Sequence, residues 1–156
     1  MPENPTYTNI LYIDDEVHNL NAFKAAFRRE FNIFLAENTI VAKKILDEQE
    51  IHVLITDQRM PGMLGTEFLA SIIDQYPDCI RILLTGYADI NAVIDAINQG
   101  QVYKYLQKPW KEEELKSTIL KAIELYTIKR KGKTLTDQLL LSNEQLEFLL
   151  RQNLLS

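Results

Sequence analysis

The chain carries a single cysteine, Cys79, which excludes an internal disulfide and any multi-cysteine metal site. Glycine and proline number five each, too few for a low-complexity or disordered chain. No stretch approaches eighteen apolar residues, and the N-terminal MPENPTYTNI has neither a basic n-region nor an apolar h-region, so no membrane span or secretory signal is expected. Positive charge is in deficit too. Lys plus Arg is 17 against 22 for Asp plus Glu, a formal net charge of −5, which argues against non-specific nucleic-acid binding and against anionic membranes as a target. These deficits point to a cytoplasmic protein. What is present is ordinary globular material: 156 residues, 46% hydrophobic and 25% charged, enough for one domain plus an extension.

Five short apolar runs recur along the chain: Ile10–Ile13, Ile33–Ala36, Val53–Ile55, Ile80–Leu84 and Val102–Leu106. Their length and their β-branched and aromatic content suit strands. The first four read as continuously hydrophobic, as for strands covered on both faces, whereas the fifth alternates and suggests an edge. Amphipathic patterns lie between them. Val17, Leu20, Phe23 and Phe27 form one apolar face; Ile40, Val41, Ile45 and Leu46 form the next; Phe68, Leu69, Ile72 and Ile73 precede Tyr76-Pro77; and Ala92, Val93, Ala96 and Ile97 end at Gly100, a natural helix C′ residue. Alternating strands and helices predict an α/β fold, a doubly wound parallel sheet with helices on both faces. Such sheets bind ligands beyond the carboxyl ends of their strands.

After Pro109 the pattern changes. From Trp110 to Leu155 there is no proline and Gly132 is the only glycine. A seam of Leu125, Ile128, Gly132, Leu135, Leu139, Ser142, Leu146, Leu149 and Asn153 recurs at alternating three- and four-residue spacing, which favours a coiled coil over a helix folded back on its own domain. A continuous helix of about 45 residues would extend about 65–70 Å, too long to stay docked on a small domain. The expected division is therefore a domain over residues 7–126 and a dimerising helical segment over 127–156, with Asn153 setting register in a homodimer. The uncapped helix running to Ser156 implies an output domain beyond it.

The chemistry gathers at strand ends. Asp14 and Asp15 follow the first strand and Asp57 ends the third, so a parallel sheet brings three carboxylates to one edge. Each alone would serve as a helix N-cap. Together they repel one another, and their all-oxygen ligands select a hard cation, Mg2+, with Mn2+ able to substitute. Thr85 ends the fourth strand with a hydroxyl, and Lys108 ends the fifth with an ammonium. A nucleophilic carboxylate, a divalent cation, a hydroxyl donor and a cation form a set suited to phosphoryl transfer, with Asp57 the candidate aspartyl phosphate.

The acidic pair, Asp57 followed by Met60-Pro61-Gly62 and Gly65, then Thr85-Gly86 and Lys108-Pro109 in order, resemble the receiver domain of two-component response regulators over about residues 8–126. The resemblance implies a flavodoxin-like, CheY-like five-stranded sheet that accepts a phosphoryl group from a sensor histidine kinase or phosphotransfer protein. It makes Asp57 the acceptor, with Asp15, Asp57 and the backbone carbonyl of Arg59 binding Mg2+ and Asp14 contributing mainly through water. Thr85 and Lys108 would hold phosphoryl oxygens, and the Lys108–Pro109 peptide would be cis. Tyr105 stands at the family's aromatic switch position, and Arg59 and Tyr87 at positions that gate attacking water. The resulting change would pass through the 89–99 helix, the fifth strand and the last helix, with any output enzyme lying outside the chain. Met60, Cys79 and Trp110 read as packing or surface residues, and Gln58 has no evident role.

Two rivals share features with this reading. An aspartyl-nucleophile phosphatase wants a second Asp two residues after the nucleophile, where this chain has Arg59. A phosphorylation-independent coiled-coil scaffold built on a receiver fold would not need the complete acidic, Thr85 and Lys108 set. His18 and His52 read as structural or surface residues, so the tail has no phosphoacceptor histidine.

Overall fold

The computed structural model describes residues 8–86, 90–131 and 143–155. Strands β1 (Asn9–Ile13), β2 (Asn32–Ala36), β3 (Val53–Asp57), β4 (Ile80–Thr85) and β5 (Lys104–Gln107) alternate with helices α1 (Val17–Phe27), α2 (Thr39–Glu48), α3 (Gly65–Ile72), α4 (Ile90–Asn98) and α5 (Glu112–Lys131). A last helix, α6, spans Asn143–Leu155. The five strands form one parallel sheet in the order β2-β1-β3-β4-β5. The sheet is parallel and doubly wound, as the strand–helix alternation predicts, and the fold is flavodoxin-like, as the family resemblance implies.

The continuous hydrophobic runs have the expected cause. Both faces of the central strands are covered, and alternate residues feed two cores. Ile10, Tyr12, Val53, Ile55, Ile82 and Leu84 pack against Leu20, Phe23 and Phe27 of α1 and Leu115, Ile119 and Ala122 of α5. Leu11, Ile13, Leu54 and Leu83 pack against Ala42 and Leu46 of α2, Phe68 and Leu69 of α3 and Val93 of α4. Strand β5 is an edge as its alternation suggests. Strand β2 is the other edge and is only partly buried, although its run Ile33–Ala36 reads like the central ones. Three expected helix-face residues face outward: Val17 is 55% and Ile40 81% exposed, and Ala92 is exposed too, because α1, α2 and α4 reach the sheet through Leu20, Phe23 and Phe27, through Ala42 and Leu46, and through Val93 and Ala96. Gly100 closes α4 with φ +75°, a backbone region that glycine enters without steric cost.

The tail departs from the expected continuous coiled coil. Leu125, at the start of the seam, is fully buried in the core beneath α5, and Phe148 and Leu149 of α6 join that same core. The Phe148 ring meets Tyr103 edge-on at 5.3 Å. Gln152 donates to the Gly100 carbonyl and accepts from Lys129 Nζ at 3.2 Å. Helix α6 is thus docked on its own domain. The physical reason is that three- and four-residue apolar spacing specifies a buried helix face but not whose surface buries it. Gly132, Leu135, Leu139 and Ser142 lie outside the described residues, as do the side chains of Leu146 and Asn153.

Candidate functional site

Register alone assembles the acidic edge. Ile13 pairs with Thr56, so the residues that follow, Asp14 and Asp57, leave the sheet side by side. Asp57 pairs with Leu84 and Thr85 with Gln107, which brings Thr85 and Lys108 to the neighbouring strand ends. Asp14, Asp15 and Asp57 each offer a carboxylate oxygen within 4.8 Å of the others. Asp14 is fully buried and Asp57 is 7% exposed, while Asp15 faces solvent. Hard oxygen donors at this spacing fit a divalent cation such as Mg2+.

Lys108 bridges the acids. Its Nζ lies 3.0 Å from Asp57 Oδ2 and 3.4 Å from Asp14 Oδ2. Burial raises the Asp57 pKa above the ordinary carboxylate value, assisted by the Asp14 charge. The Lys108 contact and the Arg59 backbone N–H oppose that shift without cancelling it. For Lys108, burial works against the charged form, but the contacts with Asp57 and Asp14 outweigh it and leave the pKa raised.

Asp14 is held from several sides. Its Oδ1 accepts from the Glu16 backbone N–H (3.0 Å), and its Oδ2 accepts from Asn19 Nδ2 and from the Tyr12 hydroxyl, both at 3.1 Å. With Lys108 as a further donor, Oδ2 is crowded. Burial, with the Asp14 charge beside it, pushes the Tyr12 phenol far above the ordinary tyrosine value, and a side-chain hydrogen bond from Trp110 opposes this only in part.

The remaining candidates are placed as follows. Thr85 is 1% exposed and its hydroxyl donates to the Gly86 carbonyl at 3.1 Å. Tyr105 is half-buried against the core on the α3–α4 side. Arg59 is exposed, with its backbone N–H directed to the Asp57 carboxylate. Tyr87 lies outside the described residues. The Lys108–Pro109 peptide is cis. His52 accepts the Asn9 backbone N–H through Nδ1 at 2.9 Å and its ring meets Tyr126 edge-on, both structural roles.

Sequence reasoning missed Gln58 and Tyr12. Gln58 is fully buried; its amide oxygen accepts from the Thr66 backbone N–H (2.9 Å) and its amide nitrogen donates to Thr66 Oγ1 (3.1 Å). The Gly65 N–H also donates to the Gln58 carbonyl at 2.9 Å. Gln58 therefore fastens the loop after Asp57 to the start of α3. That approach is close enough to require glycine, since a Cβ on Gly65 would stand 2.4 Å from the Asp57 carbonyl oxygen. The signal available in the sequence was an uncharged amide placed directly after Asp57.

Residues 10–120 match the model of the response regulator receiver domain. The chain belongs to that family. It is 32% identical over 125 residues to the hydrogenase transcriptional regulatory protein HoxA of Bradyrhizobium diazoefficiens, covering 80% of this chain and 26% of that regulator. The chain thus spans about a quarter of the length of the curated relatives it matches. Among solved structures, it resembles the signal receiver domain of an HD domain-containing protein from Pseudomonas fluorescens, with TM-score 0.77 and 30% identity over 84% of this chain and 97% of that one. It also resembles the response regulator TrrA of Thermotoga maritima, solved with Mg2+ and BeF, with TM-score 0.66 and 28% identity over 74% of this chain and 99% of that one. Among the described residues of this receiver domain, no helix is long and apolar enough to cross a membrane.

Proposed function

We propose that this receiver domain is a switch that takes a phosphoryl group from a phosphohistidine of a sensor kinase onto Asp57. The observation that carries the reading is the Lys108 ammonium 3.0 Å from Asp57 Oδ2, beside a cluster in which Asp14 and Asp15 complete a site for a divalent cation. An Asp57 carboxylate oxygen attacks phosphorus, the O–P bond forms, and the P–N bond to the donor imidazole breaks. The imidazole leaves with the electron pair and takes its proton from water. Asp15, Asp57 and the Arg59 carbonyl would hold Mg2+, with Asp14 acting through water. The ion supplies charge neutralisation for the transferring group. Lys108 holds a phosphoryl oxygen as a fixed cation, and Thr85, freed from the Gly86 carbonyl, donates its hydroxyl to another.

The added charge, about −1.5 to −2 if an acyl phosphate behaves like a phosphoester, draws Thr85 inward. Tyr105 then turns into the vacated space. The signal passes to α4, β5 and α5, and onward to α6 through the Gln152 contact with Gly100. Arg59 and Tyr87 set the rate at which water removes the phosphoryl group. The relatives' names point to transcriptional and HD-domain outputs, and any output activity here would lie outside this chain.

Incubation with Mg2+ and acetyl phosphate, read by intact-protein mass spectrometry, tests the assignment. The expected result is a gain of one phosphoryl group that Asp57→Asn abolishes. No gain at any Mg2+ concentration would overturn the reading in favour of a phosphorylation-independent scaffold.

A further inference from the structure

Tyr12 occupies a position where the strand pattern asks only for an apolar side chain. It is fully buried at the fourth of the five positions of β1, and its ring stacks on Phe23 at 4.3 Å with the planes 2° apart. Phenylalanine would satisfy that packing. A buried tyrosine hydroxyl needs partners, and here it donates to Asp14 Oδ2 at 3.1 Å while accepting from the Trp110 side chain. The geometry follows from strand periodicity. Residues two apart share a face about 6.5–7 Å apart, so a long side chain leaning along the strand spans the gap from position 12 to position 14.

The same aromatic cluster reaches the other side of the site. Phe23 also meets the Trp110 ring edge-on at 6.2 Å, and Phe27 meets it at 5.9 Å. Trp110 follows Lys108 by two residues. The cluster therefore joins the strand that carries Asp14 to the segment that carries Lys108, with the Tyr12 hydroxyl at the point where it touches the acid.

We propose that Tyr12 is a positioning residue for the acidic site, its buried O–H fixing the Asp14 carboxylate against Asp57 so that the charge is presented to a divalent cation and not surrendered to Lys108. This rests on the metal-dependent reading above. Asp14 Oδ2 has three donors, of which Lys108 is the longest at 3.4 Å. Removal of the Tyr12 donor leaves the buried carboxylate short of a partner, and it turns toward the ammonium. The internal ion pair with which an entering cation must compete then becomes stronger. Partners that orient a metal-site group without touching the metal are worth about ten- to a hundredfold in affinity. The lower end applies here because Asn19 remains.

The test is calorimetric titration of Mg2+ into the wild-type chain and Tyr12→Phe, with emission from Trp110, the only tryptophan, as a second readout. Tyr12→Phe is expected to stay folded and to bind Mg2+ about tenfold more weakly. In an Asp14→Asn background the same change should cost nothing further, because its effect runs through Asp14. Equal affinity in wild type and Tyr12→Phe would overturn the proposal while leaving the metal-dependent reading intact. An undiminished loss in the Asp14→Asn background would also overturn it, by assigning the effect to packing. A Tyr12→Phe chain that does not fold assigns the hydroxyl to stability and overturns it likewise. No Mg2+ binding by the wild-type chain would sink both this proposal and the reading beneath it.

Discussion

Asp57 is held in opposition to its own ionisation. The residue is 7% exposed, burial raises its pKa, and the Lys108 contact recovers only part of the cost. A group whose folded-state pKa lies above its unfolded value contributes stability that is complete below the unfolded pKa and is lost as pH rises through the folded one. At neutral pH the ionised Asp57 is therefore a liability in the metal-free protein. Asp57→Asn is expected to raise the metal-free Tm at pH 7 by about 2–4 °C, the shift that goes with about 1 kcal/mol in a chain of this size. The gap should shrink as pH is lowered toward the ordinary carboxylate range, where wild-type Asp57 takes up its proton. Differential scanning calorimetry across that range checks both the sign and the trend. At this scale the site was partly legible. Asp14, Asp15, Asp57, Thr85 and Lys108 follow apolar runs, and parallel topology sends such ends to one edge. Tyr12 was not legible, and for Gln58 only its amide beside Asp57 was, because what distinguishes both is a hydrogen-bond partner that only the folded chain supplies.

Among the elements, α6 illustrates where periodicity stops being informative. Its apolar spacing fits an intermolecular seam and an intramolecular face equally well, and the decision falls to Phe148, which reaches the core beside Tyr103. Phe148→Ala is expected to cost about 3–5 kcal/mol, the range for removing a buried phenylalanine. Urea unfolding followed by circular dichroism measures it; an unchanged midpoint would mean that α6 does not contribute to the domain's core. Strand β4 gives a second example. Arg81 interrupts an otherwise apolar run and is nonetheless fully buried, donating to the Cys79 and Gln101 carbonyls at 2.7 Å each. Burial lowers its pKa from the usual guanidinium value, but its donors tie the turn before β5 to the base of β4. The strand itself was evident from its neighbours. One partner of Arg81, the Cys79 carbonyl, is two residues away, but the Gln101 carbonyl lies 20 residues on and leaves no local trace.

For the whole molecule, the proposed metal reading makes stability a function of cation concentration. Mg2+ at a hundred times its Kd adds about 2.7 kcal/mol to any state that binds it. Thermal scans of the wild-type domain should then move up by about 5–10 °C with saturating Mg2+. Asp15→Asn, at an exposed position, should abolish most of that rise while leaving the metal-free Tm nearly unchanged. The convergence of distant strand ends was predictable because parallel strands with helical crossovers admit few topologies, whereas the edge position of β2 was not, its run reading like those of the central strands. The path of the tail was not, since its pairing surface depends on the finished domain.

The bridge from Lys108 to Asp14 and Asp57 means that the domain carries its own counterion. One lysine shared between two acids offsets part of their mutual repulsion without cancelling it, so on the proposed reading a divalent cation would join that ammonium at the acidic edge and complete the compensation.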